Sequence, residues 1–114
     1  MPHYVMLTRL TPEAVKTPVD LKKLEAAVAD QVRKDCPEVK WLHSYAILGP
    51  HDYLDIFEAP NEEVAARVVM IVRSFGHGQT ETWTAVPWER FKTLISSILI
   101  AKPSLSRISS RPWG

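Results

Sequence analysis

One α+β domain, with an antiparallel sheet carrying helices on a single face, is the fold class that this sequence predicts. Three observations predict it. Stretches of strand composition occur four times and stretches of helical spacing three times, in the order strand, helix, strand, strand, helix, strand, helix. The reversal between the second and third strands is too short for a crossover, so that pair is a hairpin. The chain has 114 residues, enough for one core and too few for two. The βαββαβ order is the split βαβ, or ferredoxin-like, plan, extended here by a C-terminal helix.

Each element has its own local reason. HYVMLTRL, residues 3 to 10, is rich in β-branched and large side chains and stops at Thr11-Pro12, which makes it a first strand. Thr17-Pro18-Val19-Asp20 offers a capping hydroxyl, a proline at the first helical position and a carboxylate near the unpaired amides. Leu21, Leu24, Val28 and Val32 then recur opposite Lys22, Lys23, Asp30 and Arg33, a helix that ends before Cys36-Pro37. VKWLHSYAIL (39 to 48) and YLDIFEA (53 to 59) are joined by the four-residue reversal Gly49-Pro50-His51-Asp52. Asn61 caps the next helix, Glu62 and Glu63 lie in its first turn, Val64, Val68, Ile71, Val72 and Phe75 share a face, and Gly76 ends it. GQTETWTAV (78 to 86) alternates as a fourth strand. Pro87 opens a last helix with Trp88, Phe91, Leu94, Ile95, Ile98 and Leu99 on its apolar side. We place the domain at residues 1–100 and a Ser-, Pro- and Arg-rich tail at 101–114, with Leu105, Ile108 and Trp113 as its possible packing residues.

Composition removes several function classes. Fourteen Lys and Arg balance thirteen Asp and Glu, so there is no broad field to recruit nucleic acid or an anionic membrane. Lys16, Lys22, Lys23, Arg33 and Lys34 are interspersed with acids and read as a solvated helix face. The single cysteine, Cys36, cannot close an internal disulfide, and the N-terminus lacks a basic segment followed by an apolar run. No stretch reaches the roughly 18 apolar residues of a membrane span. A cytoplasmic protein is expected. His3, His43, His51 and His77 show no ligand spacing and there is no CxxC, so no metal is expected. Gly76-His77-Gly78 is too short for a phosphate loop, and no GxSxG turn is present, which leaves no cofactor and no hydrolytic nucleophile.

Three segments, YVMLTRLTPEAVKT, LGPHDYLDIFEAPNEEVAARVV and TETWTAVP, together resemble the GYD domain family across residues 3 to 95. The resemblance implies a ferredoxin-like domain of the dimeric α/β-barrel type in a family without an established catalytic set. Gly49 and Asp52 match the motif that gives the family its name, whereas His51 stands where the family usually has Tyr. In the turn itself, Gly49 is read as supplying a positive φ or room for another chain, Pro50 as presetting a turn, and Asp52 as bonding backbone amides.

A sheet bare on one apolar face needs a partner, so a homodimer or higher homo-oligomer is expected, with a pocket between sheet and partner. His43, Tyr45, His51, Asp52, Asp55 and Trp83 are the ligand-binding candidates, with Glu81 beside Trp83. Two hairpin registers are open. Leu48 opposite Tyr53 sets His43 against Glu58 and Tyr45 against Ile56; Ile47 opposite Tyr53 sets Tyr45 against Asp55 and His43 against Phe57. Either one pairs a carboxylate with a titratable or phenolic group suited to proton transfer. The expected function is a small-molecule-binding or sensing module. The alternatives are a cofactor-independent oxygenase or isomerase and a purely partner-binding role.

Overall fold

The computed structural model describes residues 1–12, 18–76 and 78–101, side chains at 18 and 99–101 excepted. Lys16, Thr17, His77 and the tail residues Leu105, Ile108 and Trp113 lie outside that description. The elements run β1 (His3–Arg9), α1 (Pro18–Asp35), β2 (Lys40–Ala46), β3 (Tyr53–Glu58), α2 (Glu62–Ser74), β4 (Gln79–Ala85) and α3 (Trp88–Ala101). All strand pairs are antiparallel in the order β2-β3-β1-β4, the ferredoxin-like arrangement.

Alternation along each strand divides the sheet into two faces. One is covered by α1 and α2 and is built in rows across the strands: Trp41, Phe57, Tyr4, Thr84; then Ser44, Asp55, Met6, Thr82; then Ala46, Tyr53, Thr8, Thr80. The other carries His43, Ile56, Val5, Trp83 in one row and Tyr45, Leu54, Leu7, Glu81 in the next. The core lies between the first face and the helices. Tyr4, Met6 and Phe57 meet Val28 and Val32 of α1 and Val64, Val68, Ile71 and Val72 of α2. Val68 and Phe57 are wholly excluded from solvent, each worth about 1.5–3 kcal/mol of apolar burial.

The capping signals act as their chemistry requires. Asn61 Oδ1 accepts from Val64 N at 3.0 Å, and Gly76 closes α2 at φ +78° with its N–H on Arg73 O. Gly78 also has a positive φ, and a Cβ there would lie 2.6 Å from Thr11 Cγ2 and 2.9 Å from Arg9 O. Gly49 is different: its φ is not positive and a Cβ would meet nothing within 4 Å among the described residues, so the turn's own geometry does not demand glycine there. The reversal is also longer than the expected four residues. Ile47 and Leu48 leave β2 and join the loop, which Ile47 N closes on Asp52 O at 3.0 Å.

On α3, Trp88, Phe91, Leu94 and Ile98 all stay exposed, with the Trp88 and Phe91 rings 5.5 Å apart. This apolar stripe follows β4 directly, where Trp83 on the bare face and Val86 just beyond are exposed as well. No helix among the described residues is long and apolar enough to cross a membrane.

Candidate functional site

The site begins with an irregularity in β2. Trp41 pairs with Phe57 and His43 with Ile56, so Leu42 is an extra residue that β3 does not match. Without that bulge His43 would stand opposite Asp55. With it, His43 turns to the bare face and Ser44 takes the place beside Asp55. Neither expected register occurs: Ala46 opposes Tyr53, Tyr45 opposes Leu54 and His43 opposes Ile56. The expected pairing of a carboxylate with His43 or Tyr45 across the hairpin is therefore absent, because Ile47 and Leu48 belong to the loop and pairing starts at Ala46 and Tyr53, while the bulge keeps His43 from Asp55.

Asp55 opens instead onto a cavity of about 830 Å³ between α1 and the sheet. Its walls are mainly apolar, from Leu21, Val28, Ala29 and Val32 of α1 and from Val39 and Trp41. Thr8, Ser44, Tyr53 and Asp55 contribute the sheet's polar groups, and Glu25 comes from α1. Trp41 Nε1–H donates to Ser44 Oγ at 2.7 Å, and the Trp41 ring stacks on Phe57 at 5.2 Å, so the core fixes one wall. The Tyr53 hydroxyl is closed off from solvent and has no hydrogen-bond partner among the described residues. A smaller cleft of about 370 Å³ lies between α2 and β4, where Arg73 Nε is already committed to Thr80 Oγ1 at 2.9 Å.

Desolvation raises the Asp55 carboxyl above its ordinary value of 3.8. Hydrogen bonding to Ser44 and Trp41 opposes this, and the Glu25 charge adds to it. Burial, then the charges of Asp52, Asp55 and Glu25, likewise push the Tyr53 phenol up, so it remains a neutral hydroxyl. Burial also raises the Cys36 thiol, which leaves it unionised and a poor nucleophile. Because the folded chain holds the Asp55 proton more tightly than the unfolded chain does, this group lowers stability as pH rises from the ordinary carboxylate range through its raised folded value. The cost is absent below that window and complete above it. Asp55→Asn is accordingly expected to stabilise the protein at neutral pH by on the order of 1 kcal/mol. Denaturant titrations across the window should show the gap between variant and parent opening as pH rises, then levelling; a variant less stable at neutral pH contradicts the reading.

Of the six candidates, Tyr45 and Asp55 line this cavity and the other four do not. His43 and Tyr45 stack at 6.1 Å on the bare side of β2, and Trp83 is 55% exposed on the same face of β4. His51 Nε2 lies 3.7 Å from Glu81 Oε1 at one end of that face. Asp52 anchors the turn: Oδ2 accepts from Leu10 N at 2.8 Å, its own N–H donates to Thr8 O at 2.8 Å, and Arg9 Nε reaches Pro50 O at 2.7 Å. The hairpin loop is thus bound to the end of β1. Loss of the carboxylate in Asp52→Ala should cost about 1 kcal/mol and loosen the 47–52 loop, readable as faster amide exchange at Leu10. Unchanged exchange there would remove the anchoring role.

Thr8, Glu25, Ser44, Tyr53 and Trp41 escaped sequence reasoning. One signal was present: in YLDIF the aspartate alternates in step with Tyr53 and Phe57, so whichever face buries Phe57 also receives Asp55. A His3 Nε2 to Glu58 Oε1 contact of 2.8 Å on the bare face was likewise unforeseen. Among the described residues, no three His, Cys, Asp or Glu side chains gather as a metal site would need.

The family described as the GYD domain matches residues 4–95. A Thermus thermophilus protein named "Glutamine synthetase and cystathionine beta-lyase binding protein" is 30% identical over 87 residues, covering 76% of this chain and 90% of that one. The crystal structure of TTHA0845 from Thermus thermophilus superposes with a TM-score of 0.52 at 24% identity over 76% of this chain and 95% of that one. MtbAldR (Rv2779c) superposes with a TM-score of 0.53 at 13% identity over 75% of this chain, which spans only about half of that protein (52%). These structural likenesses speak to the fold alone, which is of the dimeric α/β-barrel type.

Proposed function

The chain belongs to the GYD domain family, and from that premise we propose that it is a self-associating, cytoplasmic small-molecule-binding or sensing module whose ligand sits between α1 and the sheet. The observation that carries the reading is the cavity itself: about 830 Å³, apolar walls, a few convergent polar groups and a carboxyl with a raised pKa. This cavity is a different place from the pocket expected between sheet and partner, since one chain supplies all of its lining. Self-association is a separate matter and uses the bare face, with its row His43, Ile56, Val5, Trp83, together with the exposed apolar stripe of α3. The Thermus thermophilus relative's name as a binding protein supports a binding role over catalysis and makes protein partners a natural output for a ligand-loaded module.

Ligand binding to the folded state alone raises the melting temperature with the logarithm of ligand concentration above Kd, the stabilisation reaching about 2.7 kcal/mol at a hundredfold excess over Kd. A thermal-shift screen with apolar metabolites should find such ligands. Ala29→Phe, which places a ring in the cavity, should abolish their effect. Stabilisation that persists in this variant would move the site elsewhere.

Asp55 beside Tyr53 favours a second reading, a cofactor-independent oxygenase or isomerase with Asp55 moving a proton. The two readings separate on recovery of the bound compound. A binding module returns it unchanged, and an enzyme returns product that Asp55→Asn no longer makes.

A further inference from the structure

Asp55 and Glu25 both line the cavity, yet neither forms an ion pair among the described residues. From this imbalance, and resting on the cavity reading above, we propose that the ligand is a hydrophobic organic cation: a protonated amine carried on an aromatic or branched apolar body.

The lining supplies acceptors where a cation's N–H groups would need them. Asp55 offers a carboxylate, Ser44 and Thr8 offer hydroxyl oxygens, and Glu25 adds a second carboxylate from the helix opposite. The two basic residues of the lining do not neutralise this. Arg33 is paired with Asp30 on the exposed side of α1, and Lys22 is exposed beside Leu21 near the start of that helix. Both leave their charges in water while their stems border the opening. That Asp55 and Glu25 both raise the Tyr53 phenol is independent of any ligand and reports the same negative local field.

Charge selection follows from burial. A desolvated carboxylate without a counter-ion is a cost that an incoming ammonium offsets, that a neutral molecule leaves in place, and that an anion increases. The indole of Trp41, whose ring is held against Phe57, gives the cation an aromatic wall as well. The apolar remainder selects the body: Leu21, Val28, Ala29 and Val32 offer nothing to a small hydrated ion, so an inorganic cation would lose its water without replacement.

Three compounds with one indole body and different heads test the proposal: tryptamine, tryptophol and indole-3-propionate, titrated calorimetrically into the full chain near neutral pH. Tryptamine is expected to bind about tenfold or more tightly than tryptophol, with indole-3-propionate weakest. Asp55→Asn should bring tryptamine and tryptophol to within about twofold, and Glu25→Gln should narrow the gap in the same direction. Equal affinities in the parent protein, or preference for the acid, overturn the cation assignment while leaving the cavity reading intact, provided Ala29→Phe still removes binding. If none of the three binds, or if Ala29→Phe binds all three as the parent does, the cavity reading fails and the cation assignment with it.

Discussion

Replacing Phe57 with alanine is expected to cost about 3–5 kcal/mol, a large part of the stability of a domain this size. The ring is fully buried and lies at the centre of a three-ring stack, 5.6 Å from Tyr4 on one side and 5.2 Å from Trp41 on the other. Removing it leaves a void that neighbours on a sheet cannot close by collapsing, because ladder hydrogen bonds fix the strands that carry them. The loss extends to the site. Trp41 forms a wall of the cavity and donates to Ser44, so releasing its ring frees the indole and, with it, the hydroxyl beside Asp55. Chemical denaturation should show the fall in stability, and ligand affinity measured on the remaining folded protein should fall as well. A loss below about 1 kcal/mol would mean that the stack is not the centre of this core.

Ile56→Glu should leave the chain folded and separate it from its copies. Ile56 lies in the middle strands on the bare face, next to Val5 and His43, and is partly accessible in the single chain, so a glutamate there can reach water when the chain is alone. Against a second sheet it would be a buried, unpaired charge costing about 3 kcal/mol, a weakening of about a hundredfold in the association constant. Sedimentation velocity should show the parent self-associated and the variant monomeric at the same concentration, with matching circular dichroism. A parent protein that sediments as a monomer at tens of micromolar, or a variant as associated as the parent, would dismiss the bare face as the contact surface.

The two predictions lie on opposite faces of one strand, and this is where the sequence was least decisive. Strand and helix positions were legible because each element announces itself locally: Asn61 at a cap, Gly76 beyond a helix end, Pro37 and Pro87 at boundaries. The facing of β3 was not, since YLDIFE alternates large side chains on both sides and either set can be the buried one. Only the partner strands decide it. Tyr4, Met6 and Thr8 of β1 line up with Phe57, Asp55 and Tyr53, and that register rests on contacts more than forty residues apart.

The bulge at Leu42 was invisible for a different reason. No glycine or proline marks it, so a reading that counts residues in twos places His43 on the wrong face and misses Ser44. Asp52 shows the reverse case. Its type and its place in a turn implied bonding to backbone amides of the reversal; it does accept from a backbone amide, but that of Leu10 beyond β1, so the contact ties the turn to a neighbouring strand rather than closing the turn on itself. Gly49 remains the one motif residue for which the chain's own geometry gives no need.

The most direct measurement uses the tryptophans, which mark the competing locations. Trp41 lines the cavity, Trp83 lies on the bare face and Trp88 on α3. Titrating tryptophol or tryptamine into ¹⁵N-labelled protein and following the indole N–H resonances should move Trp41 and leave Trp83 and Trp88 in place. Movement of Trp83 with Trp41 unchanged would contradict a ligand site between α1 and the sheet.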